Sequence, residues 1–191
     1  MKVLITGSSG LIGSSLIPFL AKGGHHVTRL VRARPKPDGD EVRWDPEKSE
    51  VDRDGLEGLD AVVHLAGENI ADGRWSQAKK KRIRQSRVES TRLLSSALAA
   101  AKTPPRVLVT ASAIGYYGDA GDRLLDEQAP AGDDFLAEVC RTWEAASEPA
   151  NVAGIRVVNL RIGVVLAREG GALQKMLTPF RLGGGGRVGS G

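Results

Sequence analysis

Three glycines near the start of the chain have the spacing that a phosphate-binding turn needs. Gly7, Gly10 and Gly13 follow a short apolar, β-branched run and precede an apolar helical segment. The first lets the chain reverse, the second lets backbone N–H groups approach a pyrophosphate, and the third lets a helix pack closely on a strand. Free N–H groups at the helix start, at Leu11 and Ile12, add partial positive charge. The pattern therefore predicts a dinucleotide site.

Arginines occupy the position that distinguishes two forms of such a dinucleotide. About 20 residues beyond the glycines, an acid holds a free ribose 2′-hydroxyl, whereas arginine accommodates a 2′-phosphate. Val31, Arg32 and Arg34 lie there, and the nearest acid is Asp38. Because a guanidinium pairs well with phosphate oxygens, we predict NADP rather than NAD, with Arg32 as the main contact and Val31 beside it. The alternative is that both arginines are solvated loop charges.

A second apolar run ends in residues suited to the same ligand. Leu65, Ala66 and Gly67 close this run, and ligands of parallel α/β sheets bind beyond the carboxyl ends of the strands. We expect these three residues to flank the adenine ribose and the pyrophosphate. His64 lies inside the run and is interpreted as a core histidine. No metal site is predicted, because three scattered histidines and one cysteine offer no ligand spacing.

Strand and helix candidates alternate along most of the chain. Strands are expected at residues 2–6, 27–31, 42–44, 61–65, 107–110 and 156–161. Helices are expected at residues 11–22, within 75–101 and within 133–147. Because several strands are continuous apolar runs, the sequence predicts an α/β fold, a Rossmann-type doubly wound parallel sheet in three αβα layers. Pro18 predicts either a mild kink in the first helix or a later start of that helix.

Length and composition limit the classes of protein. The chain of 191 residues fits one large domain or slightly more, and 41% hydrophobic residues suffice for a sizeable core. The lone Cys140 excludes an intrachain disulfide and fits a reducing compartment. No signal peptide is visible, and no segment reaches the roughly 20 apolar residues of a membrane span. We therefore predict a cytoplasmic protein without a membrane partner.

Basic residues are concentrated on the long predicted helix. Residues 79–82 are Lys-Lys-Lys-Arg, and Arg87 follows on the same helix. Nucleic-acid binding is one interpretation, but almost no aromatic residues are interleaved with these charges. We favour a solvated helix face, from which one or two residues turn to the cofactor, and no nucleic-acid partner. Arg87 is a better cofactor candidate than Arg82.

Motifs spread along the whole chain resemble those of one protein family. The TGxxGxxG turn, the HLAG strand exit and the YG motif are typical of extended short-chain dehydrogenase/reductases of the nucleoside-diphosphate-sugar epimerase type. A closer resemblance, to an atypical branch of that epimerase family, is carried by WDP at 44–46, AGENI at 66–70, SR at 86–87, WEAA at 143–146 and LTPFRLG at 177–183.

The resemblance implies a domain organisation and a function. Members of the branch continue into a C-terminal substrate-binding part. We therefore expect residues 1–175 to form the NAD(P)-binding Rossmann domain and the glycine-rich residues 176–191 to begin that part, most of which is missing. The implied activity is that of an NADP-dependent oxidoreductase or epimerase acting on a small molecule that the sequence does not identify. A non-enzymatic, NADP-responsive regulator related to cell division is the alternative. Helix-packed dimers are common in the superfamily, which leaves a homodimer as a candidate assembly.

The catalytic positions depart from those of the superfamily. Its members use a Ser, and a Tyr and a Lys in YxxxK spacing, for proton transfer. Ser112 fills the serine position, but the chain contains no YxxxK. One alignment puts Leu136 and Cys140 in the places of the Tyr and the Lys, and the other puts Phe135 and Val139 there. Neither alignment supplies an acid or an ammonium group.

Two further residues could compensate for this departure. Arg87 stands where extended members usually carry an Asn, and it could replace the lost Lys charge or hold an anionic group. Tyr116 and Tyr117 are the chain's two tyrosines and lie near Ser112 in sequence. We expect proton transfer to fall to one of them, with Tyr116 as the candidate, or to a bound water. The alternative is that Tyr117 is the structural tyrosine of the YG motif and that Tyr116 packs.

Overall fold

The computed structural model describes residues 1–37, 39–71 and 73–187. Asp38 and residues 188–191 of the predicted C-terminal part lie outside the described residues. The strands are β1 (Lys2–Thr6), β2 (His26–Val31), β3 (Glu41–Asp45), β4 (Glu50–Val51), β5 (Ala61–His64), β6 (Val107–Ala113) and β7 (Arg156–Ile162). The helices are α1 (Leu11–Lys22), α2 (Gln77–Ala99), α3 (Phe135–Ala145), α4 (Glu148–Val152) and α5 (Gly171–Arg181), with short 3-10 turns at Asp54–Leu56 and Ile114–Tyr117.

The strands form one sheet in the order β4-β3-β2-β1-β5-β6-β7. β1 pairs in parallel with both β2 and β5, and the pairs β2–β3 and β5–β6 are also parallel. The chain proceeds outward from β1 to β3 and then returns to β5 on the other side of β1. That reversal opens a crevice at the carboxyl ends of β1 and β5. The predicted Rossmann-type sheet is confirmed.

The core lies between the sheet and the long helix α2. Buried side chains of β1, β2, β5 and β6 pack against apolar residues of α2; this cluster includes Leu4, Leu30, Val62, Leu94, Leu98 and Leu108. Ser76 caps α2 by accepting a hydrogen bond from the Lys79 amide, 3.2 Å away, and Asp134 caps α3 in the same way through Ala137 at 2.8 Å. These caps fix where each helix starts beside the sheet.

Three elements were not predicted. β4 has two residues and pairs antiparallel with β3, α4 has five residues, and α5 has eleven residues and begins at Gly171. β4 and α4 are too short to carry a periodicity that can be detected from sequence. α5 has an ordinary helix length, but Gly170 and Gly171 at its start and Pro179 inside it are poor helix formers. α1 begins at Leu11, so the later start suggested by Pro18 is not observed.

The described chain comprises two compact units, and the first spans Met1–Arg161. The second unit begins at Ile162, contains α5 and has a bridge between Leu166 and Gly171. The predicted boundary between residues 175 and 176 falls inside α5. Among the helices of the described ranges, none has the length and apolarity that crossing a bilayer requires.

Candidate functional site

The glycine turn between β1 and α1 forms one wall of a cleft. Gly7 has φ +67°, and a Cβ there would lie 2.7 Å from the carbonyl carbon and oxygen of Leu65. A Cβ on Gly13 would overlap the carbonyl oxygen of Gly7. A side chain at either position would therefore separate the turn from the exit of β5 or from α1.

Gly10 leaves the start of α1 without a side-chain cap. Its amide donates to the carbonyl of Gly7 at 3.0 Å, which closes the turn. The first-turn amides, including those of Leu11 and Ile12, therefore have no capping side chain as acceptor, and such groups attract anions. Gly7 and Gly10 line the cleft, and Leu11, Ile12 and Gly13 form the helical turn behind them.

The exit of β5 forms the floor of the cleft. Thr6 Oγ1 accepts hydrogen bonds from the amides of Leu65 and Ala66, each at 3.0 Å. Leu65, Ala66 and Gly67 all line the cleft. One hydroxyl at the end of β1 therefore fixes the loop that follows β5.

His64 is a core residue, as predicted. It is fully buried, and its two ring nitrogens lie 2.7 Å from Thr6 Oγ1 and 3.0 Å from Thr91 Oγ1. The indole N–H of Trp143 donates to the same Thr91 hydroxyl at 2.9 Å. Burial lowers the pKa of His64 to about 4, so the ring is neutral near pH 7 and serves to join β1, β5, α2 and α3.

The cleft has a volume of about 1160 Å³. This exceeds the range of about 300–1,000 Å³ that is usual for drug-sized ligands, which leaves room for a dinucleotide. Its lining comes from the glycine turn, the ends of β2 and β5, the β3–β4 turn and one face of α2; it includes Gly7, Gly10, Val31, Arg32, Glu47, Leu65, Gly67, Glu68, Arg82, Ser86 and Glu89.

Arg32 lies at the β2 end of the cleft and is exposed. Its guanidinium has no hydrogen-bond or ionic partner among the residues that the structure describes, while its backbone carbonyl accepts from Arg43 Nη1 at 2.9 Å. Arg34 is not part of the lining. Glu47, from the turn between β3 and β4, lines the same region. Sequence analysis missed this acid, because only the sheet brings it beside β2.

On the α2 side, a cluster of charges borders the cleft. Lys79 Nζ donates to Glu68 Oε1 at 2.7 Å and to the carbonyl of Asn69 at 2.8 Å. Lys79 is 5% exposed, so the expected solvated helix face is wrong at this residue. Arg82 Nε donates to the same oxygen of Glu68 at 3.2 Å, and Arg82 lines the cleft. The pKa of Glu68 is lowered, chiefly by the hydrogen bond from Lys79.

Arg87 lies behind the β5 exit rather than on the cleft surface. Its guanidinium donates to the carbonyls of Ile83 and Glu68, each at 3.1 Å, and lies 5.1 Å from the ring of Trp143. A Cβ on Gly67 would meet the guanidinium carbon at 3.4 Å. Burial lowers the pKa of Arg87. In this position the charge supports the loop that carries Gly67.

Ser112 belongs to a second cluster at the ends of β6 and β7. It is 3% exposed, and its hydroxyl donates to Glu144 Oε1 at 2.6 Å. Glu144 also accepts from Arg161 through Nε and Nη2, each at 3.0 Å. This pairing raises the pKa of Arg161. Ser112 and Arg161 are therefore joined through the Glu144 carboxylate.

Both tyrosines contact Arg161. Nη1 of Arg161 donates to the Tyr117 hydroxyl at 2.8 Å and to the carbonyl of Glu127 at 3.0 Å. The guanidinium carbon lies 3.5 Å from the centroid of the Tyr116 ring. Sequence analysis missed Glu144 and Arg161 as site residues. The signal that could have pointed to Arg161 was an arginine at the carboxyl end of a predicted strand.

The places of the missing Tyr and Lys are filled by apolar packing. Leu136 packs on the turn after β6, since its Cβ would lie 3.3 Å from a Cβ on Gly115. Cys140 is buried beside Ser112, and burial raises its thiol pKa. Phe135 stacks edge-on against Trp75, 5.9 Å away. The structure thus places Cys140 next to Ser112 and Leu136 against Gly115. The Cys140 thiol keeps its proton at neutral pH and Leu136 has none to exchange, so neither residue replaces the Tyr or the Lys.

Comparison with known proteins gives the family that the chain matches and its relatives. The model of the NAD dependent epimerase/dehydratase family matches residues 3–177. The chain is similar to Epimerase family protein Mb2239 of Mycobacterium bovis, with 48% identity over 189 residues, 99% of this chain and 62% of the relative. It is also similar to human Epimerase family protein SDR39U1, with 41% identity over 194 residues, all of this chain and 64% of the relative.

Two solved structures have the same fold. The crystal structure of human SDR39U1 (isoform 2) with NADPH has a TM-score of 0.87 at 41% identity, and all of this chain covers 63% of it. The nucleoside-diphosphate sugar epimerase of Corynebacterium glutamicum has a TM-score of 0.85 at 44% identity, and all of this chain covers 39% of it. The chain spans about three fifths of the length of the curated relatives it matches. These matches confirm the resemblance drawn from the motifs: the chain belongs to the NAD dependent epimerase/dehydratase family.

Proposed function

We propose that this chain binds NADP(H) in the cleft and forms the cofactor-binding part of an oxidoreductase or epimerase-like enzyme. The observation that carries the proposal is the glycine turn, which exposes backbone amides to a cleft that is also lined by the exposed Arg32. Such a turn binds a pyrophosphate, and such a guanidinium binds a 2′-phosphate. The human relative crystallised with NADPH supports the assignment.

The lining residues fit the parts of this cofactor. Gly7 and Gly10, with the first turn of α1, would hold the pyrophosphate, because a Cβ on Gly7 would close the gap to Leu65. Leu65, Ala66 and Gly67 would flank the adenine ribose and the pyrophosphate, and Arg32 the 2′-phosphate. When bound, the nicotinamide supplies the hydride acceptor or donor. Arg87 would support this binding from behind Gly67.

Calorimetric titration of the chain with NADPH and NADH tests the cofactor assignment. NADPH should bind more tightly, and Arg32→Ala should weaken NADPH binding about 10-fold to 100-fold, because a charge-assisted hydrogen bond is lost. NADH binding should change little. Arg34→Ala is the matched control, since it removes the same charge outside the cleft lining. Absence of binding by either nucleotide, or a preference for NADH, would contradict the proposal.

For catalysis we propose Ser112 and Tyr116 as the candidate residues. The Ser112 hydroxyl donates to Glu144, so its oxygen has lone pairs left to accept a hydrogen bond from a substrate hydroxyl. The Tyr117 hydroxyl is held by Arg161, whereas the Tyr116 hydroxyl has no hydrogen bond within the described ranges. Tyr116→Phe should therefore lower turnover without changing NADPH affinity. Full turnover of this variant would remove Tyr116 from the mechanism and leave Tyr117 or a bound water.

The second candidate function is that of a non-enzymatic, NADP-responsive regulator. The observation that favours it is the apolar packing of Leu136 and Cys140 at the places of the superfamily Tyr and Lys. Stereospecific hydride exchange with a carbonyl or an alcohol would support the enzyme. Tight NADPH binding without reduction of any carbonyl in a broad panel would support the regulator.

The proposal also covers the domain organisation of the chain, its assembly, its location and its binding partner. We assign residues 1–175 to cofactor binding and residues from 176 onward to the start of a substrate-binding region. We also propose that the chain forms a homodimer, is located in the cytoplasm and binds a small polar metabolite. Light scattering of the purified chain with and without NADPH tests the dimer.

A further inference from the structure

The charge cluster on the α2 side of the cleft holds one arginine in a defined position. Lys79 is buried and donates to Glu68 Oε1 and to the Asn69 carbonyl. These bonds fix the carboxylate, which in turn accepts from Arg82 Nε at 3.2 Å. A guanidinium that is anchored through Nε keeps its orientation without using its two terminal nitrogens.

The unused end of Arg82 is available to a ligand. The side chain is 58% exposed, and Arg82 shares the cleft lining with Gly7 and Gly10. Within the described part of the chain, neither Nη1 nor Nη2 of Arg82 has a hydrogen-bond partner. Two parallel N–H donors in one plane match two oxygens of a phosphate group.

The charges of the cluster favour an anion. Glu68 stands directly after the small residues of the β5 exit, where a lone carboxylate would repel a pyrophosphate. Lys79 and Arg82 outnumber it, so the cluster as a whole is positive. Since Lys79 pairs with Glu68 at 2.7 Å, the excess positive charge lies on Arg82, at the surface of the cleft where an anion would arrive.

We propose that Arg82 binds the pyrophosphate of the dinucleotide from the α2 side, opposite the glycine turn, and that Glu68 and Lys79 are positioning residues. This inference rests on the proposed function. It divides the anionic groups of the cofactor between two arginines: Arg32 at the 2′-phosphate and Arg82 at the pyrophosphate. Arg87, the cofactor candidate expected from the sequence, instead donates to backbone carbonyls.

Calorimetry with two fragments of the cofactor separates the two arginines. ADP-ribose carries the pyrophosphate without the 2′-phosphate, and adenosine 2′,5′-bisphosphate carries the 2′-phosphate without the pyrophosphate. Arg82→Gln should weaken ADP-ribose and NADPH binding about 10-fold and leave the bisphosphate within about twofold. Arg32→Gln should weaken the bisphosphate and NADPH and leave ADP-ribose unchanged.

Two further variants complete the test. Arg84→Gln is the control, because Arg84 is exposed on the same helix and outside the cleft lining. Glu68→Gln should lower the melting temperature, because buried Lys79 loses its carboxylate, but it should weaken ADP-ribose less than Arg82→Gln does and leave the bisphosphate unchanged; a merely structural role would weaken both fragments equally. ADP-ribose affinity that survives Arg82→Gln would overturn the inference while the proposed function stands. A wild-type chain that binds no dinucleotide would overturn both.

Discussion

The cleft beside β1 and the cluster beside β6 lie on the same sheet but satisfy their polar groups in opposite ways. In the cleft, the first-turn amides of α1 and the guanidinium of Arg32 have no side-chain partner among the residues at 1–37, 39–71 and 73–187. In the cluster, Ser112, Glu144, Arg161 and Tyr117 are bonded to one another. Groups left open can receive a ligand at once, whereas groups that bond each other must exchange a partner first. The cleft is therefore preorganised to bind a ligand, whereas the hydrogen bonds within the cluster make that part of the chain rigid.

The largest effect is expected when the cleft loses its glycine turn. Gly7→Ala should abolish NADPH binding and destabilise the chain, since the new Cβ would lie 2.7 Å from the Leu65 carbonyl. Gly24→Ala is the control, because Gly24 also has a positive φ, +75°, but nothing within 4 Å of a Cβ. The backbone conformation alone costs about 1–2 kcal/mol. Urea unfolding should show a clearly larger loss for Gly7→Ala, and equal losses would mean that the close approach is unimportant.

A smaller effect is expected when the cluster is broken. Arg161→Met would leave the Glu144 carboxylate, whose side chain is 14% exposed, without its cation. The expected cost is about 3 kcal/mol of unfolding free energy. Adding Glu144→Leu should recover much of that loss, because no charge is then left unpaired. Lys48→Met, which breaks the exposed pair with Asp45, should cost less than about 1 kcal/mol.

If Arg161→Met and Lys48→Met lower the free energy of unfolding by the same amount, the cluster stabilises the chain no more than a surface ion pair does. The contrast with the open cleft would then be lost. A double variant as unstable as Arg161→Met alone would place the stabilisation in the contacts of Arg161 with the tyrosines rather than in its pairing with Glu144.

His64 links the two regions, and its protonation should make the free energy of unfolding depend on pH. His64 contacts Thr6 below the cleft and Thr91, which binds Trp143 of α3. Its pKa is about 4 in the folded chain against 6.5 in the unfolded one, so the unfolded state takes up the proton first. Stability is complete above about pH 6.5 and falls as the pH drops toward 4, by about 2 kcal/mol at pH 5.

Urea unfolding from pH 7.5 to pH 5 measures this loss. The variant His64→Gln cannot titrate at this position, so its stability should fall less steeply over the same interval. Parallel slopes in the two proteins would show that other groups cause the acid sensitivity.

Much of the cleft could be predicted because its signals are local. The glycine turn, α1 and the small residues after β5 lie in two short segments. The size and spacing of the residues within each segment indicate its backbone conformation. The burial of His64 followed from its apolar neighbours in the strand. The same logic failed at Lys79, where a basic run suggested a solvated face. Only the folded loop brings the Glu68 carboxylate and the Asn69 carbonyl to that ammonium group.

The side-chain contacts of the cluster beside β6 could not be predicted from the sequence. Ser112, Glu144 and Arg161 come from β6, α3 and β7, and no short motif joins them. A side chain's partners depend on which strand ends the sheet places side by side, as Glu47 beside β2 also shows.

By itself, the sequence determined the Rossmann-type sheet, the glycine turn and the absence of a Tyr–Lys pair, because periodicity, side-chain size and residue identity are local properties. Only the tertiary structure decided which charges are paired, which guanidinium groups face the cleft and which hydroxyls remain free. Those outcomes depend on distances between atoms far apart in the chain, and those distances exist only once the strands have been placed side by side.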